Sequence, residues 1–145
     1  MNAISLDEIR LTKLKCISTP GGDVMHALKA SETEFNGFGE SYFSWIDSGA
    51  IKAWKCHRRM TLNLVVPLGS VRFVFHLPHQ GDAFRVEEIG KDRYLRLTVP
   101  SGIWFGFKGI ATERSLLINL ADIEHDSDEV LRKPLSSIQY DWNKL

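Results

Sequence analysis

Two side chains near the middle of the chain have the types and the spacing for acid–base chemistry on a bound ligand. Lys55 and His57 are two residues apart, and residues at that spacing in a β-strand point to the same face. The imidazole of His57 titrates near neutrality by nature, and an apolar environment would lower the pKa of Lys55 and favour its neutral form. Together they predict a base beside a cation, which suffices for one proton transfer next to a carbonyl group.

The neighbours predicted to share this face are apolar, since Leu62 and Phe105 are also expected to point inward. Three interpretations stay open at this point. The pair catalyses a single proton transfer beside a carbonyl group, it binds a ligand without chemistry, or it only lines a filled interior.

The composition limits the class of protein. The 145 residues suit one domain with one core. Eighteen basic residues offset eighteen acidic ones, so no net field favours nucleic acid or an anionic membrane. No apolar run approaches the roughly 20 residues of a membrane span, and residues 1–10 lack the apolar centre of a secretory signal. Cys16 and Cys56 are too few for a disulfide framework and predict reduced thiols in the cytoplasm.

The elements that must position these residues are short strands separated by Gly, Pro and Asp, a pattern typical of an all-β sandwich or small barrel. One segment, 24–30, fits a strand or a short helix, and 126–131 is interpreted as helical. The aromatic tail at 134–142 is expected to pack back on its own domain or on a partner subunit. The predicted strands are 9–18, 40–46, 50–57, 61–67, 71–77, 84–89, 94–99, 104–107 and 115–120.

The spacing around the pair matches a known barrel motif. Gly49 is followed by five residues, Lys55, one residue, His57, four residues, Leu62, six residues and Gly69. This resembles the first motif of the cupin barrel, in which the three interior positions are usually His, His and Glu. The second cupin motif survives in outline as PSGIWF at 100–105, with a phenylalanine in place of its usual histidine.

Four stretches together resemble the dTDP-4-dehydrorhamnose 3,5-epimerase family of cupins, over roughly residues 20–142. They are GAIKAWK at 49–55, LVVPLG at 64–69, VPSGIWFGF at 99–107 and IQYDW at 138–142. The resemblance implies a jelly-roll barrel, a homodimer, a dTDP-4-keto-6-deoxy sugar as substrate and no metal. The family makes deoxysugars for bacterial surface polysaccharides.

The family's catalytic residues do not carry over. It uses a His–Asp pair as base, a lysine for the enolate oxygen and a tyrosine that returns a proton on the opposite face. Here Lys55 takes the histidine position and His57 the following glutamine position, and no lysine stands at 60–62. The tyrosine falls near Ile118, and the supporting acid is expected near Lys133, where none stands.

A metal site is not expected. Zinc or iron needs three or more convergent ligands, and the two cupin motifs supply only His57. We expect neither a metal nor another cofactor.

Substrate-binding residues are predicted from their positive charge, from an aromatic ring or from their position relative to the family's motifs. Lys52 stands where the family has an arginine that contacts the diphosphate, and a lysine would grip it less firmly. Other basic side chains are placed near the barrel mouth, two aromatic rings could stack on a sugar or thymine, and His26 lies in a segment that crosses between subunits in the family. The predicted set is Lys52, Arg59, Arg72, Trp104, Phe105, Lys108 and His26.

The sequence therefore predicts an all-β, single-domain cupin jelly roll, also called a double-stranded β-helix. Its single domain, 1–145, comprises an N-terminal arm at 1–20, the barrel at 21–125 and a tail at 126–145. The predicted function is a cytoplasmic, homodimeric, metal-independent epimerase or isomerase of a nucleotide-linked deoxysugar, with Lys55 and His57 as catalytic residues. The alternative is a non-catalytic sugar-binding cupin of the same pathway. Neither nucleic acid nor membrane is an expected partner.

Overall fold

Short β-strands make up most of the chain. The structure is a computed structural model that describes residues 3–81 and 83–144, so residues 1–2 of the predicted arm and Asp82 of a predicted loop lie outside the described residues. In chain order the strands are β1 (Arg10–Lys13), β2 (Cys16–Ile17), β3 (Val24–Met25), β4 (Glu40–Ile46), β5 (Ile51–His57), β6 (Leu62–Leu68), β7 (Ser70–His76), β8 (Phe84–Gly90), β9 (Leu95–Val99), β10 (Trp104–Gly109), β11 (Ser115–Ala121) and β12 (Val130–Arg132).

Two five-stranded antiparallel sheets face each other. The first has the order β1-β9-β6-β11-β4, and the second has the order β12-β5-β10-β7-β8. Strands β2 and β3 form a separate hairpin. The sheets include β1, which precedes residue 21, and β12, which follows residue 125. The sandwich therefore extends beyond the barrel predicted at 21–125. The predicted all-β cupin jelly roll is confirmed.

The main core fills the space between the sheets. Its members alternate along the strands, as the pleat requires, so Phe73 and Phe75 point inward from β7 and Phe105 and Phe107 point inward from β10. Leu62 belongs to the same core. A substitution such as Phe73→Ala would cost about 3–5 kcal/mol, because an aromatic ring would leave a cavity in close-packed surroundings.

A second apolar cluster covers the outer face of the second sheet. Trp54 and Trp104 lie on that face, and Trp142 of the C-terminal tail packs on them, with its ring centroid 5.3 Å from that of Trp54. Gly106 allows this approach, since a Cβ there would lie 2.5 Å from the Cβ of Ala53 and 3.1 Å from the Trp142 ring. Of the two positions expected for the tail, its own domain or a partner subunit, the structure shows packing on its own domain.

Three sequence predictions are wrong or too coarse. Residues 126–131 are not helical, because Val130–Arg132 forms a strand paired with β5. Residues 9–18 divide into β1 and β2, which belong to different sheets. The ambiguous segment 24–30 contains the two-residue strand β3 and no helix. Cys16 is exposed, Cys56 is buried, and no disulfide joins them.

Candidate active site between the two sheets

A β-bulge in β5 selects the side chains that face the interior. Phe105 of β10 pairs with Lys55, but the next residue, Gly106, pairs with Ala53. Trp54 is therefore the extra residue of the bulged strand. Lys52 pairs with Phe107, an inward residue, so Lys52, Lys55 and His57 all lie on the inner face. Ala53 and Trp54 both pack in the outer cluster.

His57 is paired with a buried carboxylate that the sequence did not reveal. The Nδ1 atom of His57 lies 2.5 Å from Oε1 of Glu129. The second carboxylate oxygen, Oε2, accepts hydrogen bonds from the backbone N–H groups of Arg59 at 3.1 Å and Met60 at 3.2 Å. The Glu129 side chain is 0% exposed. A charge so deeply buried is tolerable only when its oxygens are paired in this way.

The carboxylate fixes the state of the imidazole. A carboxylate only accepts hydrogen bonds, so the Nδ1–H group of His57 donates to Glu129. In the neutral ring the lone pair is then left on Nε2. This is the tautomer that can accept a proton from a ligand.

Burial and pairing oppose each other at both members of the pair, and the pKa values of His57 and Glu129 both lie below their usual values. Burial lowers the pKa of His57, the bond to Glu129 and its charge oppose that effect, and the positive charges of Lys55 and Arg132 lower the pKa further. Burial raises the pKa of Glu129, but the hydrogen bonds from His57 and from the Arg59 and Met60 backbones outweigh it, so the pKa lies below its usual value. The stable form near neutrality is therefore a neutral imidazole beside an ionised carboxylate.

Lys55 stands between two strands at the edge of a cavity. It is opposite Phe105 on one side and opposite Arg132 of β12 on the other. Burial lowers the pKa of Lys55, and the charges of Arg132 and Lys52 lower it further.

The cavity opens between β4 of the first sheet and β12, β5 and β10 of the second. Its volume is about 390 Å³, within the range of small-molecule sites. Among the described residues its lining includes four basic residues and no acidic one, so it favours an anionic ligand. The lining residues are Ser44, Lys52, Ala53, Trp54, Lys55, Phe105, Phe107, Arg132 and Lys133.

His57 lies behind this wall. Its ring stacks on that of Phe105, with centroids 6.0 Å apart and planes 19° from parallel. His57 is buried and is not among the residues that line the cavity. Phe105 thus separates the dyad from the open part of the cavity, and a ligand must reach past this ring to touch the imidazole.

Three of the predicted binding residues face the wrong side of the second sheet. Arg72 donates to Glu88 at 2.6 Å and to the carbonyl of Trp142 at 3.4 Å. Lys108 donates to that same carbonyl at 3.2 Å. Trp104 packs in the outer cluster beneath Lys133, whose Nζ lies 4.3 Å from the ring centroid. These side chains hold the tail in place and do not line the cavity.

Two further predicted residues lie elsewhere. Arg59 follows the end of β5 and forms an exposed ion pair with Asp126 at 2.9 Å. His26 follows β3, and its carbonyl accepts from the Tyr94 hydroxyl at 2.7 Å. Of the predicted set, only Lys52 and Phe105 line the cavity with Lys55.

Sequence reasoning missed three residues of the site, namely Glu129, Arg132 and Lys133. Glu129 lies four residues before the position where a supporting acid was sought. It lies in the segment that was interpreted as helical. No local sequence pattern marks it, because the pairing of β12 with β5 that brings Glu129 next to His57 is visible only in the structure.

No group of three or more His, Cys, Asp or Glu side chains suited to a metal ion occurs in residues 3–81 and 83–144. Across the same residues, no helix is both long and apolar enough to cross a membrane.

Comparison with known proteins adds relatives in sugar metabolism. No protein-family model matches the chain. It is 31% identical over 115 residues to a probable low-salt glycan biosynthesis epimerase from Haloferax volcanii, covering 71% of this chain and 72% of that protein. A dTDP sugar isomerase from Desulfovibrio desulfuricans G20 is 31% identical with a TM-score of 0.89, covering 97% of this chain and 95% of that one.

More distant solved structures share the fold. A dTDP-4-dehydrorhamnose 3,5-epimerase from Bacillus anthracis has a TM-score of 0.79 at 15% identity, over 97% of this chain and 88% of that chain. A sugar 3,4-ketoisomerase from Thermoanaerobacterium thermosaccharolyticum has a TM-score of 0.74 at 20% identity, over 89% of this chain and 90% of that chain.

Proposed function

Because the chain belongs to the dTDP-4-dehydrorhamnose 3,5-epimerase-like family of cupins, we propose that it moves a proton next to the ketone of a dTDP-4-keto-6-deoxyhexose, as an epimerase or ketoisomerase. The observation that carries the proposal is the buried His57–Glu129 pair beside Lys55. The family resemblance alone could not carry it, since the usual catalytic positions are altered.

His57 is the proposed base. Glu129 holds its Nδ1–H group, so Nε2 is free to take a proton from the carbon next to the ketone. The lowered pKa of His57 keeps the ring neutral at physiological pH. The adjacent carboxylate stabilises the imidazolium that forms when the proton arrives.

Lys55 is the proposed stabiliser of the enolate oxygen. Removing the proton moves negative charge onto the ketone oxygen, and a cation fixed beside it in a partly dry site lowers the barrier. Lys55 projects from the same face of β5 as His57, two residues before it. Burial and the charges of Arg132 and Lys52 lower the pKa of Lys55, and an anionic ligand in the cavity would favour its charged form.

The remaining cations suit the diphosphate. Lys52 and Arg132 line the cavity. Arg132 can bind two phosphate oxygens at once, while Lys52 offers a point charge. A diphosphate at this rim would direct the hexose toward Phe105 and the dyad. The similarity to a dTDP sugar isomerase at 31% identity supports this choice of ligand.

The test is deuterium exchange from heavy water into a dTDP-4-keto-6-deoxyhexose, followed by NMR. We expect exchange at a carbon next to the ketone that exceeds the rate without protein. His57→Gln and Lys55→Met should each abolish it. Lys91→Ala is the matched control, because Lys91 is an exposed lysine in the turn before β9, and it should exchange normally.

A non-catalytic sugar-binding protein is the second candidate, and the altered family positions favour it. Lys55 replaces the usual catalytic histidine, and Ile118 stands where the family has its tyrosine. Binding of the sugar nucleotide by calorimetry without any exchange would establish this alternative and would rule out the catalytic proposal.

We further propose that the protein is cytoplasmic, needs no metal and forms a homodimer. The exposed apolar residues of the hairpin, Ile17, Val24 and Met25, support the dimer, since a lone hairpin is marginally stable in water. In such a dimer His26 would lie near the partner's surface. Light scattering tests the dimer, and activity after chelation with metal analysis tests the metal.

A further inference from the structure

The C-terminal tail covers the bulge of β5 from the outer side of the second sheet. Both residues of the bulge, Ala53 and Trp54, pack in the outer cluster with Trp142, whose ring centroid lies 5.3 Å from that of Trp54. A Cβ on Gly106 would lie 2.5 Å from the Ala53 Cβ and 3.1 Å from the Trp142 ring. The Trp142 ring therefore lies against the sheet at the point where β5 carries its extra residue.

The segment that leads into the tail binds the same bulge. The N–H group of Trp54 donates to the Lys133 carbonyl, and the N–H group of Lys133 donates to the Trp54 carbonyl, both at 3.1 Å. The indole Nε1–H group of Trp54 donates to the carbonyl of Leu135 at 3.2 Å. Three hydrogen bonds and the contact with Trp142 thus hold the extra residue to residues 133–142.

A second register of β5 would turn Lys52 the other way. Lys55 pairs with Phe105 in both registers. Without the bulge, Ala53 would pair with Phe107 and face inward, and Lys52 would face outward. In the observed register Lys52 is opposite Phe107 on the inner face. Because a slip of one residue moves each side chain of the affected stretch to the other face, the position of Lys52 depends on what favours the bulge.

The inner position gives Lys52 a fixed place at the cavity. Its Nζ atom donates to the carbonyl of Trp45 on β4 at 3.1 Å, so the side chain spans from the second sheet to the first beside the cavity that it lines. A cation that is already held in place loses less freedom when it binds an anion.

We infer that Trp142 is a positioning residue for the nucleotide site, because its ring favours the bulged register and thereby keeps Lys52 on the inner face, within reach of a diphosphate. The inference rests on the proposed function and adds to it a residue that does not line the cavity. The C-terminal tail thus contributes to ligand binding through the strand beneath it.

The first measurement needs no ligand, since cross-strand NMR contacts between backbone protons report the partner of Phe107. We expect Trp142→Leu, which keeps an apolar side chain but loses the ring, to replace the Phe107–Lys52 contacts by Phe107–Ala53 contacts. Trp142→Phe retains a smaller ring and should shift a smaller share of the molecules, so it also serves if the leucine variant does not fold. Leu135→Ala is the matched control, because this exposed tail side chain leaves the carbonyl that binds Trp54 in place.

The second measurement is a double-mutant cycle on dTDP binding by calorimetry. Lys52→Ala should weaken binding about fivefold, since it removes a cation that the diphosphate contacts. Trp142→Leu should weaken binding by a similar factor, and the double variant should bind no more weakly than Lys52→Ala alone, because both changes remove the same contact. Arg132 lines the cavity from another strand, so the effects of Arg132→Ala and Trp142→Leu should multiply.

Two results would overturn the inference while leaving the proposed function intact. Unchanged pairing of Phe107 in Trp142→Leu would show that the ring does not hold the bulge. Multiplying effects of Trp142→Leu and Lys52→Ala would show that the tail does not act through Lys52. Failure of the unmutated protein to bind dTDP would instead refute the proposed function and the inference together. Absence of proton exchange in a protein that shows the expected coupling would refute the catalytic proposal alone.

Discussion

Replacing Glu129 by Gln tests the dyad more sharply than removing His57, because it changes one atom of the buried carboxylate. The glutamate uses both oxygens as acceptors, one for Nδ1–H of His57 and one for the backbone N–H groups of Arg59 and Met60. An amide has only one oxygen. The variant must therefore leave one side of this arrangement wrongly paired.

Each orientation of the amide has a separate cost. If its oxygen faces the backbone, its NH2 group donates to Nδ1 and drives the proton of His57 to Nε2, which can no longer act as a base. The exchange rate should then fall by about 10²–10⁴-fold. If its oxygen faces His57, the amide hydrogens confront two buried N–H donors, and unfolding becomes easier by about 1–3 kcal/mol.

The pH dependence separates this explanation from simple loss of structure. Glu129 raises the pKa of His57 against the effect of burial, so any residual activity of the variant should extend to lower pH than that of the unmutated protein. The assay is deuterium exchange across pH 4–9, with urea unfolding in parallel. Glu124→Gln is the control, because Glu124 is exposed. Unchanged exchange and an unchanged pH profile in Glu129→Gln would refute the dyad.

Three other predictions concern stability and ligand binding. The pKa of His57 is lowered in the folded state, so the folded protein binds fewer protons than the unfolded chain below the ordinary histidine pKa. The free energy of unfolding, measured by urea titration, should therefore fall as the pH drops below about 6.5. A constant free energy in that range would contradict the burial of a neutral ring. Arg132→Ala should weaken dTDP binding about tenfold by calorimetry, because it removes a cation from the cavity wall. Arg59→Ala, which lies outside the cavity, should leave dTDP binding unchanged. Equal effects of the two substitutions would mean that the nucleotide does not bind in this cavity. Trp142→Ala should lower the free energy of unfolding by about 3 kcal/mol, because the Trp142 ring is buried in the outer cluster. Leu135 is exposed, so Leu135→Ala should lower it by less than about 0.5 kcal/mol. Similar losses in the two variants would mean that Trp142 does not hold the tail on the sheet.

The strands of the two sheets were predictable because Gly, Pro and Asp punctuate them and their side chains alternate. The last strand was not, because residues 126–131 are rich in charge and short of β-branched residues. Pairing with β5 overrides that weak local preference. Because this strand was not predicted, the sequence did not reveal Glu129, the carboxylate that accepts the hydrogen bond from Nδ1–H of His57.

Whether the predicted binding residues of the second sheet point inward or outward was only partly predictable. Once Phe105 is placed inward, alternation along β10 sends Trp104 and Lys108 outward, and the sequence alone contained that exclusion. Arg72 could not be excluded in this way, since the register of β7 is visible only from its partners. The bulge in β5 had no sequence signal and decides the position of Lys52.

The bulge also bears on how relatives of different length should be compared. Counting in twos from His57 would place Ala53 and Ile51 inward, yet both pack in the outer cluster, and Lys52 takes the inner position. Losing one of the two residues at the bulge would restore a regular strand with the same inner side chains. A homologue that is one residue shorter here would therefore keep the inward positions of Lys52 and Lys55. The gap in its alignment belongs at Ala53–Trp54 rather than in the preceding turn.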